Sequence, residues 1–132
     1  MNYNSIEEIL SAGTTNMTVI RNNTKQDNGT DSLTGIDWFT FKEVIASTIY
    51  VNGNSWIGFG SSSGHLKVNH RDGALYSLYR EEGTLYNYYK FLKIRWKGYS
   101  SYYTTSSLYA IEYDVILWDT GDISLHMISI PT

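Results

Sequence analysis

The clearest candidate for catalytic chemistry in this sequence is an aspartate and a histidine near its C-terminal end. A hairpin predicted between residues 109 and 130 sets His126 opposite Asp114, and a carboxylate beside an imidazole is part of the relay that activates a nucleophile. The nucleophile is missing, because the sequence contains no G-x-S-x-G or comparable elbow. We therefore interpret Asp114 and His126 as a polar pair on a half-exposed sheet face.

Paired carboxylates are the other catalytic pattern to consider, since a glycosidase needs two acids flanking a sugar bond. Glu81 and Glu82 are adjacent, and neighbours on a strand point to opposite faces. Asp119 and Asp122 belong to a tight turn, whose oxygen ligands are too sparse for a calcium loop. Neither pair suits catalysis, and the sequence predicts a protein that is not an enzyme.

Metal and cofactor sites are not expected either. His65 and His70 have neither the helical spacing nor the neighbouring carboxylates of a zinc site, and the chain has no cysteine. Gly58 and Gly60 follow a predicted strand, with no helix after them to receive a phosphate. The sequence therefore predicts no bound metal and no cofactor.

Tyrosine is concentrated between residues 76 and 103, where it is interleaved with lysine and arginine. A tyrosine ring offers a large rigid face and one hydroxyl, which suits sugar stacking and protein interfaces alike. A structural role, in which many of these rings simply pack on a sheet, stays open beside those two. The candidate ligand or interface residues are Tyr79, Tyr86, Tyr88, Tyr89, Tyr99, Tyr102, Tyr103 and Arg95.

Charge and hydropathy narrow the range of partners. The net charge of -3 argues against nucleic acid as the main partner. No segment approaches the ~18 consecutive apolar residues of a membrane helix, and the first twenty residues do not resemble a signal peptide. We expect neither nucleic-acid binding nor membrane insertion.

The last strand pair gives the firmest structural prediction. Asp119-Thr120-Gly121 suits a three-residue hairpin loop whose glycine takes the left-handed conformation. That turn fixes the register, puts apolar residues of both strands on one face in a core, and leaves the other face half exposed. The predicted pairs are Trp118 with Asp122 at the turn, Leu117 with Ile123, Val115 with Leu125 and Tyr113 with Met127 on the apolar face, and Ile116 with Ser124 and Asp114 with His126 on the other.

Elsewhere the sequence predicts one helix and several short strands. Ser5-Ile6-Glu7-Glu8 forms a capping box that starts a helix running to about Leu10. An Asn52-Gly53 turn predicts a hairpin between strands 48–51 and 56–60. Residues 88–96 alternate, with Leu92, Ile94 and Trp96 on one face and Phe91, Lys93 and Arg95 on the other. Residues 22–34 and 98–107 are expected to be loops, and residues 80–84 to interrupt a strand.

Together these elements define the predicted fold class. Turn signals recur about every ten residues and separate roughly seven to nine short strands, which is typical of an all-β fold. We expect an antiparallel two-sheet β-sandwich, jelly-roll-like, with one short N-terminal helix. The length of 132 residues predicts a single domain over residues 1–132, with a helix, a strand and a polar loop in 1–35 and the sandwich core in 36–130.

Two segments resemble extracellular β-sandwich modules of the nidogen-like type. FTFKEVIASTIYVNGNSWIGFG resembles their N-G-W-I-x-F-G stretch, and FLKIRWKGYSSY with LYAIEYDVILWDTGDISLHMI resembles a later strand pair. The matching positions are Phe41, Tyr50, Val51, Asn54, Trp56, Phe59, Trp96, Tyr113, Val115, Leu117, Gly121 and Ile123, while Ser55 replaces the usual glycine. These are mostly core and turn positions, so the resemblance implies a fold and assigns no catalytic residue.

The segments WIGFG, YREEGTLYNYYKFLKIRW and LWDTGDI are also similar to modules of phage and prophage tail or baseplate proteins. This resemblance implies a location in a virion tail or at an extracellular or cell surface. The leading hypothesis is a non-catalytic structural and receptor-binding module of a phage tail or tail-fibre protein. It would contact copies of itself or neighbouring tail or surface proteins, with host-surface glycan as a candidate ligand. The alternative is a carbohydrate-binding or adhesion module of a bacterial surface protein.

Overall fold

A computed structural model describes residues 1–25, 29–61, 64–68, 75–99 and 105–130 of the chain. The fold is mostly β, with 57% of residues in strands and 11% in helical turns, and it contains curled sheets and one short α-helix. The β class and the N-terminal helix are thus confirmed. The larger sheet is a half-barrel, and the two-sheet, jelly-roll-like sandwich stays a prediction.

The described residues form twelve strands and the helix α1 (Ile6–Ser11), with short 3-10 turns at Thr14–Asn16 and Ser107–Tyr109. The strands are β1 (Asn2–Tyr3), β2 (Thr18–Lys25), β3 (Thr30–Leu33), β4 (Thr40–Phe41), β5 (Val44–Ile45), β6 (Ile49–Asn52), β7 (Trp56–Phe59), β8 (Leu66–Lys67), β9 (Leu75–Leu85), β10 (Tyr89–Tyr99), β11 (Ala110–Trp118) and β12 (Ile123–Ser129).

Two main sheets organise these strands. The large sheet has the order β1-β9-β10-β11-β12, and β2 pairs with the other end of β9. The small sheet has the order β3-β6-β7-β8, and β4 and β5 form a separate hairpin. Both β1 and β2 come from the first 35 residues, so that segment contributes two strands to the large sheet.

The main hydrophobic core lies between the inner face of the large sheet and the small sheet. Three aromatic rings stack in it: Trp96 lies 5.4 Å from Tyr76 and 6.0 Å from Tyr113, measured between ring centroids. Phe39 and Phe59 contact each other on the opposite side of this core, 5.3 Å apart. Every second residue of β9, β10 and β11 points inward, as the two-residue period of a strand requires.

The opposite face of the large sheet, which we call the outer face, is covered at one end by α1. Ile9 of the helix packs there with Tyr3, Phe91, Ile116 and Trp118 in a second, smaller core. Strand β10 is therefore buried on both sides. The predicted division of its residues between two faces is confirmed, since Leu92, Ile94 and Trp96 lie in the main core and Phe91 in the second.

Helix α1 begins at the predicted capping box. The hydroxyl of Ser5 accepts a hydrogen bond from the backbone N–H of Glu8 at 3.1 Å, and the Glu8 carboxylate accepts one from the N–H of Asn4 at 3.3 Å. These bonds satisfy N–H groups that the first helical turn leaves without partners. The helix ends at Ser11, close to the predicted end.

The closing hairpin has the predicted register. Leu117 lies opposite Ile123 and Asp114 opposite His126. The N–H of Trp118 donates to the carbonyl of Asp122 at 3.0 Å, and Gly121 has a φ of 89°. The predicted burial is confirmed on β11, whose apolar residues Tyr113, Val115 and Leu117 lie in the main core. It is wrong on β12, whose apolar residues are exposed, and the face expected to be half exposed is buried on β11, where Asp114 has 0% exposure.

Three other sequence predictions need correction or qualification. Residues 22–34 are not one loop, since β2 continues to Lys25 and β3 occupies Thr30–Leu33. Residues 80–84 do not interrupt the pattern, because β9 runs unbroken to Leu85. The hairpin at Asn52-Gly53 exists, but its left-handed residue is Ser55, with a φ of 64°. His70, Tyr102 and Tyr103 lie outside the described residues.

Candidate functional site

The candidate tyrosines that the structure describes lie at two ends of the hairpin formed by β9 and β10. Tyr86, Tyr88 and Tyr89 are at its turn, and Tyr99 is at its open end. Ten residues of extended strand separate Tyr89 from Tyr99, which corresponds to about 33 Å. The structure therefore brings these residues into two groups instead of one continuous row.

The turn group is exposed and conformationally unusual. The Tyr88 side chain is 75% exposed, and its ring meets the Tyr89 ring edge-on with centroids 4.9 Å apart. Tyr86 has a φ of 57° and Asn87 a φ of 53°. The left-handed region suits asparagine but is unfavourable for a bulky residue such as tyrosine, so the turn contains a locally strained tyrosine.

The open-end group lines a cavity of about 300 Å³ on the outer face. Tyr79 and Tyr99 are in its walls, together with the asparagine pair Asn22 and Asn23. Residues of β2 and of β12 both line this space, although these strands are the two edges of the sheet at this end. The curl of the half-barrel therefore wraps its edges around the cavity.

Irregularities in both edge strands help to open the cavity. The pairing of β2 with β9 shifts between Arg21 and Thr24, and Asn23 in that bulge has a φ of 46°. The pairing of β11 with β12 shifts beside Glu112. Bulges bend strands and frequently lie next to binding sites. Asparagine tolerates the left-handed conformation that this bulge needs.

One row of residues across four strands lies along the cavity. Ser77 of β9 pairs with Lys97 of β10, Lys97 pairs with Glu112 of β11, and Glu112 pairs with Ser129 of β12. All four line the cavity. Since paired residues share a face, this row, which we call the cavity row, presents two hydroxyls, one ammonium group and one carboxylate.

The next row along the outer face is buried and more strongly charged. It runs through Tyr79, Arg95, Asp114 and His126. Arg95, a predicted surface candidate, is only 5% exposed, and its guanidinium donates two hydrogen bonds to Asp114 at 2.7 and 2.9 Å. These bonds raise the pKa of Arg95 against the opposing effect of its burial.

A third row lies under α1. Lys93 pairs with Glu81 on one side and has 0% exposure. Its ammonium group donates to the carbonyls of Ile9 and Ala12 at 2.6 and 2.9 Å. Burial lowers the pKa of Lys93, while Asp114 partly opposes that shift. Lys93 therefore satisfies carbonyls at the C-terminal end of α1, where a positive charge is favourable, and its role is to dock the helix.

This charged cluster is not evident from the sequence alone. Lys93 and Arg95 alternate with apolar residues, which is the usual pattern of a strand with a wet face. The signal that could have found it is the register itself, because pairing β10 with β11 sets Arg95 directly opposite Asp114. Buried charges of both signs then indicate that another element covers this face of the sheet.

Asp114 and His126 contact each other beside the buried arginine. The imidazole Nδ1 of His126 lies 3.4 Å from Oδ2 of Asp114. Both oxygens of that carboxylate already accept from Arg95. Ser124, on the same face of β12 as His126, accepts a hydrogen bond from the Trp118 indole at 2.9 Å. The pair thus belongs to an ion-pair network.

The described ranges contain neither a cluster of metal-binding side chains nor a membrane-spanning helix. No group of three or more His, Asp or Glu side chains is arranged to hold a metal ion there. His65 instead accepts a hydrogen bond from the N–H of Phe59 at 3.0 Å. No helix within those ranges has the length and apolar character needed to cross a membrane.

Strand β12 forms one edge of the large sheet, and within the described part of the chain it pairs only with β11. Leu125 is 55% exposed, and Ile123 and Met127 on the same face are also exposed. A groove of about 680 Å³ runs between β12 and α1, with Ile6 and Tyr89 in its walls. This edge is therefore the second candidate site, an apolar surface next to unpaired backbone groups.

Comparison with protein-family models, with curated proteins and with solved structures found no match for this chain.

Proposed function

We propose that this chain is a non-catalytic β-sandwich module that assembles with a second copy of itself through β12, as a subunit-contact element of a phage tail or another surface appendage. The observation that carries the proposal is the edge strand itself. It is seven residues long, exposed and rich in apolar side chains.

Natural sheets normally protect such edges. Lysine, proline or an inward-pointing charge discourages pairing with another chain. The β12 sequence ISLHMIS contains no lysine, proline or acidic residue. By contrast, exposed β9 and β10 positions elsewhere in the sheet carry charges such as Glu82 and Lys97. An edge without protection is typical of a strand that pairs with a partner.

The order of residues in β12 favours a second copy as that partner. The apolar side chains of β12 are placed symmetrically about Leu125, since Ile123 and Met127 lie two residues away on either side. In antiparallel pairing about a twofold axis, Leu125 would face Leu125 of the partner subunit and Ile123 would face Met127 of the partner subunit. Such self-complementarity is what a symmetric dimer interface requires.

Additional contact area is available beside the strand. A stable interface buries roughly 1,600 Å² in total, which is more than one short strand pair provides. The groove between α1 and β12 is continuous with the edge and has Ile6, Leu10 and Trp118 in its walls. We propose that the partner subunit covers this groove as well as the strand.

The arrangement of Arg95, Asp114 and His126 on the outer face supports the proposal that the module is non-catalytic. A general base needs access to substrate. Asp114 is completely buried and engaged by Arg95, and His126 contacts the same carboxylate. The tail or surface setting is supported only by the resemblance of segments such as WIGFG and LWDTGDI.

Light scattering across a range of protein concentrations tests the assembly. The wild-type chain should reach twice its monomer mass of 15.1 kDa, and Leu125→Lys should stay at the monomer mass because each interface would then bury two like charges. The matched control is Val44→Lys, an exposed apolar position on β5, which should assemble like the wild type. A wild-type chain that remains a monomer at every concentration would contradict the proposal.

A further inference from the structure

We infer that the cavity beside the cavity row is a binding site for a single neutral sugar ring, independent of the proposed assembly through β12. The volume of the cavity limits the size of its ligand. A volume of about 300 Å³ is at the lower end of the range for ligand pockets. It equals the liquid volume of about ten water molecules, which suits one sugar unit and excludes a nucleotide or a long peptide.

The charges along the cavity favour a neutral ligand. Lys97 and Glu112 lie directly opposite each other on β10 and β11, so their charges offset each other at the site. Glu112 is also 3.8 Å from a nitrogen of Arg95. A phosphate or carboxylate would gain from Lys97 but would be repelled by Glu112, whereas a neutral ligand incurs no such repulsion.

The hydrogen-bonding groups match a ring that carries several hydroxyls. A hydroxyl both donates and accepts. The Glu112 carboxylate can accept from one sugar hydroxyl, and the Lys97 ammonium group can donate to another. Ser77 is held in place because its Oγ accepts from the N–H of Asn23 at 3.0 Å. The serine therefore presents its hydroxyl oxygen in a set direction, and the Glu112 carboxylate lies beside Arg95.

Aromatic side chains supply the remaining element of sugar recognition. Tyr79 and Tyr99 stand in the cavity walls on neighbouring strands. Tyrosine combines an apolar face with a hydroxyl at its tip, and the apolar C–H face of a sugar ring can pack on such a surface. Tyr79 also pairs across the sheet with Arg95, which lies on the neighbouring strand β10.

A titration followed by NMR tests this inference on the whole chain. The probes are D-glucose, D-galactose, L-rhamnose and N-acetyl-D-glucosamine, each raised to about 100 mM, which is a hundredfold above a millimolar dissociation constant. At least one of them should shift the backbone amides of Ser77, Lys97 and Glu112. Perturbation confined to Tyr86, Tyr88 and Tyr89 would overturn the inference, because it would place the sugar at the hairpin turn.

Two variants identify the contacts. Tyr99→Ala should weaken binding of the responding sugar at least tenfold, and Lys97→Met should weaken it to a smaller extent. The control is Tyr50→Ala, a half-buried tyrosine on the small sheet, which should bind like the wild type. Melting temperatures show whether each variant is folded, and the wild-type titration does not depend on them.

Two further results of the titration would also count against the inference. No shift at the cavity amides with any of the four sugars overturns the inference. A larger response of the same amides to inorganic phosphate overturns the assignment to a neutral ligand. Light scattering of the same samples separates this result from the proposed assembly, since a monomer that binds sugar would contradict only the proposed function.

Discussion

Arg95 and Asp114 face each other across β10 and β11 and form a two-point ion pair, with Nε 2.7 Å from Oδ1 and Nη2 2.9 Å from Oδ2. Arg95 Nη2 also lies 3.3 Å from the carbonyl of Ala12, just after α1. Both side chains are almost fully buried. One pair of residues therefore links the middle of the large sheet to the helix that covers it.

Removing the negative charge from this pair should be strongly destabilising. Asp114→Asn keeps the side-chain size but leaves Arg95 and Lys93 buried near a neutral group, for which we expect a loss of about 3–5 kcal/mol in the free energy of unfolding. Urea denaturation measures this loss in the free energy of unfolding. Asp37→Asn, at an exposed position, should change stability by less than about 0.5 kcal/mol. A loss below about 1 kcal/mol for Asp114→Asn would mean that solvent reaches the cluster.

Lys93→Met should detach α1 without unfolding the sheet. Methionine fills much of the same space, but the carbonyl of Ile9 loses its donor and the carbonyl of Ala12 keeps only the longer bond from Arg95 at 3.3 Å. Each buried carbonyl without a partner costs about 1–3 kcal/mol. Hydrogen exchange should accelerate at the α1 amides, including that of Ile9, while β10 amides keep their protection. Equal acceleration in both elements would contradict a docking role.

Stability should fall in alkaline solution because buried tyrosines resist ionisation. Burial, and then the hydrogen bond to Glu81, raises the pKa of Tyr3 to about 12. The unfolded chain releases this proton near pH 10, so the stabilisation is complete below pH 10 and is lost as the pH rises towards 12. Burial raises the pKa of Tyr76 and Tyr113 in the same direction.

Comparison with Tyr3→Phe isolates the contribution of Tyr3. Urea midpoints measured between about pH 9 and pH 11.5 should fall less steeply for this variant than for the wild type. Burial lowers the pKa of Lys93, which acts in the opposite direction below pH 10.5, but Lys93 is present in both proteins. Identical slopes for the two proteins would show that Tyr3 ionises normally in the folded state.

Oxidative cross-linking can determine the register of the proposed dimer. The native chain has no cysteine, so only introduced thiols can cross-link. Leu125→Cys should form a disulfide-linked dimer, because directly facing positions on paired strands have suitable Cβ separations. Ile123→Cys alone should cross-link poorly, and the double variant Ile123→Cys with Met127→Cys should cross-link well. Equal yields for the two single variants would contradict pairing about Leu125.

The strained turn of the β9–β10 hairpin should be easy to stabilise. Tyr86→Asn places a residue that tolerates positive φ where the backbone has a φ of 57°, and we expect a gain of about 1 kcal/mol. Tyr88→Phe, in the same turn, keeps the ring that contacts Tyr89, has no such strain to relieve and should stay within about 0.5 kcal/mol of the wild type. Thermal unfolding of both variants checks this. No difference between them would mean that the turn does not store strain.

Local patterns were sufficient to predict some elements. The closing hairpin could be predicted because a glycine turn and a two-residue alternation both act over a few residues, and together they fixed the pairing of Leu117 with Ile123. The capping box at Ser5 is local in the same sense. By contrast, the sequence predicts a loop over the second half of β2, because its polar residues, with Asn22 and Asn23 in a bulge, have the composition of a loop.

The outer face could not be predicted because its cover comes from far away in the sequence. Lys93 meets the carbonyl of Ile9 across 84 residues, and no local pattern reports such a contact. Of the candidate site, Tyr79 and Tyr99 were selected from composition alone. Ser77 and Glu112 were missed, because finding the cavity row requires the register of four strands at once.

The N-terminal segment makes contacts with residues far away in the sequence, and we expect these contacts to determine the order of folding events. Tyr3 donates to Glu81 across 78 residues, and contacts of such separation form late because of the entropy of closing a long loop. Until α1 docks, the face that it covers exposes the apolar side chains of Phe91, Ile116 and Trp118 to water, together with the charges of Lys93, Arg95 and Asp114. Charges next to exposed apolar surface discourage aggregation while folding is completed.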